Sequence, residues 1–459
     1  MKTAADIARD ANGVVAAGAP EAVATSWAFD SRALEAGACF VALHGERDGH
    51  DFVANAFSRG ARVALVAHVD PGVVVPAGAA LVLVDDPLRA LQAVARADRE
   101  RRPDLRVVGV TGSTGKTSTK DLLAAALAPL GCYASPESYN NEFGLPITLL
   151  NTPADARVVV AEMGERRAGD VAELCEIARP EIGIVTNVGL AHAEHLGGPS
   201  GAARVIGELI EALPADGLAV VNADDDWTPK LAERALRAGL AVVTAGRDAA
   251  ADYRVEEIEV DAELRPVLSV RGTRVTVPLH GEHQVVNAAL ALAVAHRGFG
   301  IELEQAAKSL ASARAARWRL ELEHGENGVV VLNDAYNANP TSMEAALNTL
   351  ARTDAAGRRI AVLGDMLELG SYAEVAHTAV GRRVAELGID VVVGVGSGGR
   401  TIIDAALGPE VHRAADGADA LRIVLGLVGA GDAVLVKASR GVGLEMVADG
   451  LLTRGGVSS

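Results

Sequence analysis

The stretch "GVTGSTGKTSTK", Gly109–Lys120, places Gly112 and Gly115 just before Lys116 and the hydroxyls of Thr117 and Ser118. Residues of these types in this order can hold a polyphosphate. Backbone N–H groups at a helix N-terminus converge on an anion, and the helix dipole favours negative charge there. The lysine neutralises β- and γ-phosphates, and the threonine hydroxyl sits on Mg²⁺. The spacing is shorter than the common G-x-x-x-x-G-K-[ST] pattern, because Val110 stands where the first glycine would be. Nucleotide contacts are expected from Gly112, Ser113, Thr114, Gly115, Lys116, Thr117 and Ser118.

Two further residues suit such a site. "VVVAEMG" puts Glu162 at the end of an apolar run. In open α/β sheets ligands bind at the carboxyl ends of strands, and a carboxylate there suits the hard ion Mg²⁺; a solvated strand-end glutamate is the other reading. "TNVGLAHAEH" offers His192 after another such run. For a lone histidine both a ligand role and a structural role fit. The chain shows no convincing Ser-His-Asp or Cys-His pattern, in keeping with phosphoryl chemistry that relies on positioning and charge neutralisation.

These residues need a sheet and helices to hold them. "RVVGVTG" reads as a buried strand and "KTSTKDLLAAALAPLG" as a helix stopped by Gly131. "RVVVAEMG", "EIGIVTNV", "GLAVVNADD" and "LAVVTAG" are further strands, mostly separated by helical patterns. Such alternation predicts a parallel sheet covered by helices. "YRVEEIEV" and "TRVTVPLH" read as an antiparallel addition. Before this region, "ACFVALHG", "ARVALVA" and "ALVLVDD" read as strands of a small α/β domain, followed by a charged linker, "RADRERRPDLR". A second α/β unit starts near Arg317, with strands "VVVLNDAY", "RIAVLGDM", "DVVVGVG" and "AVLVKAS". The division is residues 1–102, 103–314 and 315–459.

The bulk composition sets limits. With 459 residues, two to four domains are expected. A net charge of −17 argues against a nucleic-acid partner, which needs a basic surface. No apolar run is long enough for a membrane span, and the start has no signal-peptide core, so a cytoplasmic protein without membrane insertion is expected. Cys39, Cys132 and Cys175 are few and far apart and read as buried free thiols.

With the loop, Glu162 and His192 in view, the chain resembles the Mur ligases of peptidoglycan synthesis, which use the short G-x-x-G-K-[ST] loop. The resemblance covers nearly the whole chain, from "DSRALEAGACFVALHGERDGHDF" through "SPESYNNEFGLPITLL", "EMGERRAGD" and "TNVGLAH" to "NDAYNANPTSMEAAL" and "VLGDMLELG". "YNANPTSM" with "GDMLELG" is similar to the branch that adds D-alanyl-D-alanine to UDP-N-acetylmuramoyl-tripeptide.

The resemblance implies an α/β protein of three domains: an N-terminal uridine-nucleotide domain, a central parallel-sheet ATPase domain and a C-terminal Rossmann-like domain. It implies ATP and Mg²⁺, the two substrates just named and a monomer. Ser31 and Arg32 match the uridine-contacting "DSR" motif, and Asn140 and Asn141 a motif facing the muramoyl peptide. Asn287 matches the adenine-contacting asparagine, and Arg319 and Asp334 match residues that reach the nucleotide. Asn287 also suits a helix cap or solvated face, and Asp334 and Asn337 also suit a local turn. Lys116 and His192 are the expected catalytic groups; Thr117 and Glu162 would hold one Mg²⁺ and His192 a second. Asn337 and Asn339, with "GDMLELG", are assigned to dipeptide capture and closure. For Lys437 and Arg440, a substrate or phosphate contact by one of them and a surface ion pair both fit. A sister amide ligase with another acceptor and a non-catalytic nucleotide-binding relative are the alternative functions.

One position departs from the family. Where its pattern resembles "A-K-x-K-G-E", with a carbamylated lysine on the second metal, this chain has "ARVIGEL", Ala203–Leu209. Ile206 has no nitrogen to carbamylate, and Arg204 stays protonated and cannot ligate. The expectation is an active ligase whose second metal rests on His192, substrate oxygens and water. A stand-in by Glu208 or Glu194 and an impaired activity are the other two outcomes left open.

Overall fold

The computed structural model describes residues 1–453. Contacts divide the chain into two compact units, one formed by residues 1–109, 130–164 and 172–181, the other by residues 110–129, 165–171 and those from 182 onward.

The first unit carries a five-stranded sheet. Its order is Val14–Gly18, Ala80–Leu83, Val63–Val66, Cys39–Val41 and Trp27–Ala28, antiparallel at the first pair and parallel after it. The three inner strands are short apolar runs because both faces are covered. Cys39, Val41, Val63, Leu65, Ala80 and Val82 enter one core, which includes Ile7, Leu91 and Val94 from two helices. Phe40, Ala64, Val66 and Leu81 enter the other, with Val53 and Phe57. This is the two-residue alternation of a strand sandwiched between helices.

The charged stretch expected as a linker is mostly not one. The helix Pro87–Glu100, capped by the Asp86 carboxylate, runs through its first half. Arg99 is buried and donates from Nε to the Ala178 carbonyl at 3.0 Å. Basic residues at a helix C-terminus are favoured by the dipole, so charge there marks a helix end rather than free chain. Also in this unit, Val158–Glu162 lies parallel to Cys132–Ala134, with all five residues of the former buried.

In the second unit, Ile182–Val185, Leu218–Asn222 and Ala241–Gly246 are parallel. Tyr253–Val260 pairs in parallel with Ala241–Gly246 through its first residues, then antiparallel with Pro266–Val270, which pairs with Thr273–Thr276. This is the antiparallel addition read from the sequence. Beneath it runs Gln284–Ala293, a helix buried at every residue but Val286.

A second sheet in this unit has the order Glu321–His324, Val330–Asp334, Ala433–Lys437, Arg359–Leu363, Val391–Val395 and Glu410–Ala414. The four inner strands are those expected; the outer two, "ELEH" and "EVHRA", were not. Their charged composition suits edges, where unpaired backbone must be kept from further pairing. No helix among the described residues is long and apolar enough to cross a membrane.

Candidate active site

The phosphate loop lies between the strand Arg106–Thr111 and the helix Lys116–Ala126, which has no side-chain N-cap. Its first N–H groups are therefore open to an anion. Gly112 has φ 129° and Gly115 φ 85°, in the region that favours glycine. A Cβ would meet Thr186 Oγ1 at 2.2 Å from Gly112, and Asn287 Oδ1 at 2.7 Å from Gly115. The loop is clamped from two sides. Ser113 N–H donates to the Asn187 carbonyl at 3.1 Å and Thr114 N–H to Asn187 Oδ1 at 2.8 Å. Asn339 Nδ2 donates to the Ser113 carbonyl at 3.2 Å and to Thr114 Oγ1 at 2.9 Å. Asn187 was not singled out by sequence reasoning, although it lies inside the quoted "TNVGLAH".

Lys116 folds back on its own loop. Nζ donates to the Gly112 carbonyl at 2.5 Å and reaches the Glu165 carboxylate at 3.0 and 3.2 Å. Glu165 is 2 % exposed. Burial pushes its carboxyl above the ordinary range, and the Lys116 ammonium opposes that shift. Thr117 is buried, and its Oγ1 accepts from Arg319 Nη2 at 3.2 Å.

A cavity of about 310 Å³ opens on this loop. Asn287, Arg319, Asp334, Asn337, Asn339 and Lys437 line it with Ser113–Gly115, Thr117 and Ser118. Eight positions chosen from the sequence for nucleotide contact, Ser113, Thr114, Gly115, Thr117, Ser118, Asn287, Arg319 and Asp334, thus line one cavity. Asn287 is not on a solvated face: it is buried, donates to Gln284 Oε1 at 2.8 Å and accepts from Thr119 Oγ1 at 3.2 Å. The Arg319 guanidinium lies over the Tyr336 ring at 3.9 Å. His283 also lines the cavity, and burial pushes its imidazole down to about 4.

Lys437 does not form a surface pair. It is 1 % exposed and donates to Asp334 Oδ2 at 2.6 Å and to the Asn337 carbonyl at 2.7 Å. Both line the cavity, Asp334 at a strand end and Asn337 in the turn that follows it. Arg440 is the exposed one, over the Trp318 ring at 4.1 Å and 3.5 Å from Glu445. Asn337 Oδ1 accepts from Ala338 N–H, ordering the turn. Asn339 caps the helix Pro340–Arg352 through Ser342 while it holds the phosphate loop.

His192 begins the short helix Ala193–Leu196 with φ 53°. Its Nδ1 meets the Glu368 carboxylate, which also takes Arg166. Although burial opposes it, hydrogen bonds from His192 and Arg166 hold the Glu368 carboxyl below its ordinary range. A carboxylate on one ring nitrogen orients the other toward a metal. Glu368 belongs to "GDMLELG", so this part of the motif serves His192; its separation in sequence hid that role. Ile206 is fully buried, Arg204 exposed, and Glu208 Oε1 accepts from Gly169 N–H at 2.9 Å.

The first unit holds the remaining expected residues. Glu162 is 1 % exposed; Oε1 accepts from Asn140 Nδ2 at 2.8 Å, and Oε2 is sealed without a hydrogen-bond partner. An orphaned buried carboxylate oxygen is costly, and a hard cation is a fitting partner for it. Asn141 Oδ1 accepts from Gly144 N–H at 2.9 Å and so orders the turn into Gly144–Leu150. Ser31 is buried, whereas the Arg32 side chain is 89 % exposed and paired with Asp30 at 2.8 Å.

Comparison with known proteins places this geometry. Residues 110–295 match the Mur ligase middle domain, and residues 318–440 the Mur ligase, glutamate ligase domain. The UDP-N-acetylmuramoyl-tripeptide–D-alanyl-D-alanine ligase of Mycobacterium bovis is 38 % identical, covering 98 % of this chain and 97 % of that protein. Its counterpart in Bacillus subtilis is 36 % identical over 93 % and 92 %. Among solved structures, MurF from Acinetobacter baumannii superposes with a TM-score of 0.84 at 29 % identity, covering 98 % and 99 %. MurF from Thermotoga maritima, in complex with ADP, gives 0.77 at 28 %, covering 93 % and 97 %.

Proposed function

The chain belongs to the Mur ligase family, and from that membership we infer that it joins D-alanyl-D-alanine to UDP-N-acetylmuramoyl-tripeptide, with cleavage of ATP to ADP and phosphate. The observation that carries this reading is the cavity where the short phosphate loop meets Asn287, Arg319 and Asp334. The reaction is a step of peptidoglycan precursor synthesis, and we assign it to the cytoplasm, where ATP is supplied.

A carboxylate is a poor acyl donor. Transfer of the γ-phosphoryl group to the tripeptide's terminal carboxylate releases ADP and leaves an acyl phosphate. The dipeptide amine then attacks the acyl carbon, the bond to phosphate oxygen breaks, inorganic phosphate leaves, and the amine proton passes to solvent. Little covalent chemistry is asked of the protein; it positions groups and neutralises charge.

Each expected residue has a part in this reading. Lys116 neutralises the β- and γ-phosphates, and the open N–H groups at the helix start bind them. Thr117 and Glu162 would hold one Mg²⁺ and His192 a second. When bound, the metal neutralises charge on the transferring phosphoryl oxygens. Asn287 contacts adenine, while Arg319 and Asp334 reach the nucleotide. Ser31 and Arg32 take the uridine nucleotide, Asn140 and Asn141 face the muramoyl peptide, and Asn337 and Asn339 serve the dipeptide end. We assign residues 1–102, 103–314 and 315–459 to the uridine, ATP and C-terminal domains.

Phosphate release tests the reading. With ATP, Mg²⁺ and UDP-N-acetylmuramoyl-tripeptide, release should depend on D-alanyl-D-alanine. Release driven only by another amine would make the chain a sister ligase, and no release with any acceptor would make it a binding protein.

A further inference from the structure

Glu165 is a carboxylate with a single strong cationic partner, and the proposed reaction takes that partner away. Its side chain is sealed from solvent, and Lys116 Nζ lies 3.0 and 3.2 Å from its two oxygens. The lysine's other hydrogen bond goes back to the Gly112 carbonyl. In this arrangement the loop lysine is satisfied within the protein. Nucleotide phosphates at the loop compete for the same ammonium, and they carry more negative charge than one carboxylate.

Removing the cation from a buried ion pair leaves an uncompensated charge, which is strongly unfavourable. Either Glu165 takes a proton or another cation replaces Lys116. Arg166, the residue after Glu165, meets the same Glu368 carboxylate that takes His192 Nδ1, which brings His192 to this part of the site. With its Nδ1 committed to Glu368, His192 presents Nε2 as a possible donor. A carboxylate and an imidazole together are donors for a divalent metal. Other side chains considered for this task are placed elsewhere. Ile206 is apolar and buried, Glu194 is exposed, and Glu208 accepts from Gly169 N–H.

We propose that Glu165 is a metal-binding residue gated by Lys116: the lysine occupies it in the ligand-free protein, and nucleotide, by drawing the lysine away, opens it to a divalent cation shared with His192. The proposal rests on the ligase reading for the nucleotide that moves the lysine. It makes loading of this cation follow nucleotide binding. Glu165 lies in the quoted stretch "EMGERRAGD", three residues beyond Glu162, and sequence reasoning gave it no part.

Mn²⁺ binding, followed by electron paramagnetic resonance, tests this without turnover. Without nucleotide, Lys116→Ala should bind Mn²⁺ at least tenfold more tightly than the unaltered chain, because Glu165 is no longer occupied. Lys116→Ala/Glu165→Gln should lose that gain. With a non-hydrolysable ATP analogue, the unaltered chain should take up one more Mn²⁺ than Glu165→Gln. Thermal melting of each variant establishes that it is folded. Equal Mn²⁺ stoichiometry in Glu165→Gln and the unaltered chain, or no gain in Lys116→Ala, overturns the role of Glu165 and leaves the ligase reading standing. An unaltered chain that binds no analogue overturns the nucleotide reading, and this proposal with it.

Discussion

Lys437 Nζ lies 2.6 Å from Asp334 Oδ2, and the two residues are direct partners across the parallel strands Val330–Asp334 and Ala433–Lys437. Both residues line the cavity that opens on the phosphate loop. Burial depresses the Lys437 ammonium and Asp334 opposes that shift. Lys437→Met should therefore cost about 3 kcal/mol of stability, because breaking a buried pair strands the remaining charge. Asp334→Asn added to it should recover part of the loss. Urea denaturation of the two variants measures both effects; equal stabilities would mean that the two charges are not coupled.

The Glu368 carboxylate on His192 Nδ1 sets that ring's orientation. Glu368→Gln should lower kcat roughly 10–100-fold, the usual effect of removing a ligand's supporting group. Stability should change by no more than about 1 kcal/mol, since the carboxylate is partly exposed. Steady-state kinetics beside a thermal melt separate this outcome from general damage.

Lys116→Ala should reduce turnover by roughly 10²–10³-fold, the range seen when one stabilising group of a transition state is lost. ATP should also bind more weakly, while the fold persists. Near-normal phosphate release in this variant would contradict the assignment of the loop.

His283 gives stability a pH dependence. Burial pushes its folded value down to about 4, against about 6.5 for an unperturbed histidine. Between those values the unfolded chain holds the extra proton and the folded chain does not. Stability should thus fall as pH drops from about 6.5 toward 4, by about 2 kcal/mol over the window. His283→Gln should remove this component of the slope in denaturation series at pH 7 and pH 5.

Arg32 projects into solvent and is held only by its neighbour Asp30 among the ion pairs of the described residues. Arg32→Ala should leave the melting temperature unchanged and raise KM for the UDP-peptide about tenfold, the value of one charge-assisted hydrogen bond. KM for ATP should change much less. Equal effects on the two would remove the uridine assignment.

The local steps of this fold were legible in the sequence. Apolar runs, glycines and helix periodicity identify the strand, the phosphate loop and the helix Lys116–Ala126, because each depends on neighbours within a few residues. The same patterns show the inner strands of the C-terminal sheet and the antiparallel addition. They miss the edge strands Glu321–His324 and Glu410–Ala414, whose composition is polar, and they take the charged end of Pro87–Glu100 for a linker.

What the tertiary structure decided is which of the candidate residues meet. Lys116 pairs with Glu165, 49 positions away; His192 with Glu368, 176 away; Asn339 holds the loop at Ser113 from 226 away. No periodicity encodes such separations. They arise when sheets and buried helices pack as rigid bodies and bring distant strand ends together. Residue types thus revealed that a phosphate loop was present. Only packing showed that its lysine is held by a buried carboxylate, its histidine oriented by a second, and Lys437 sealed into an ion pair rather than left at the surface.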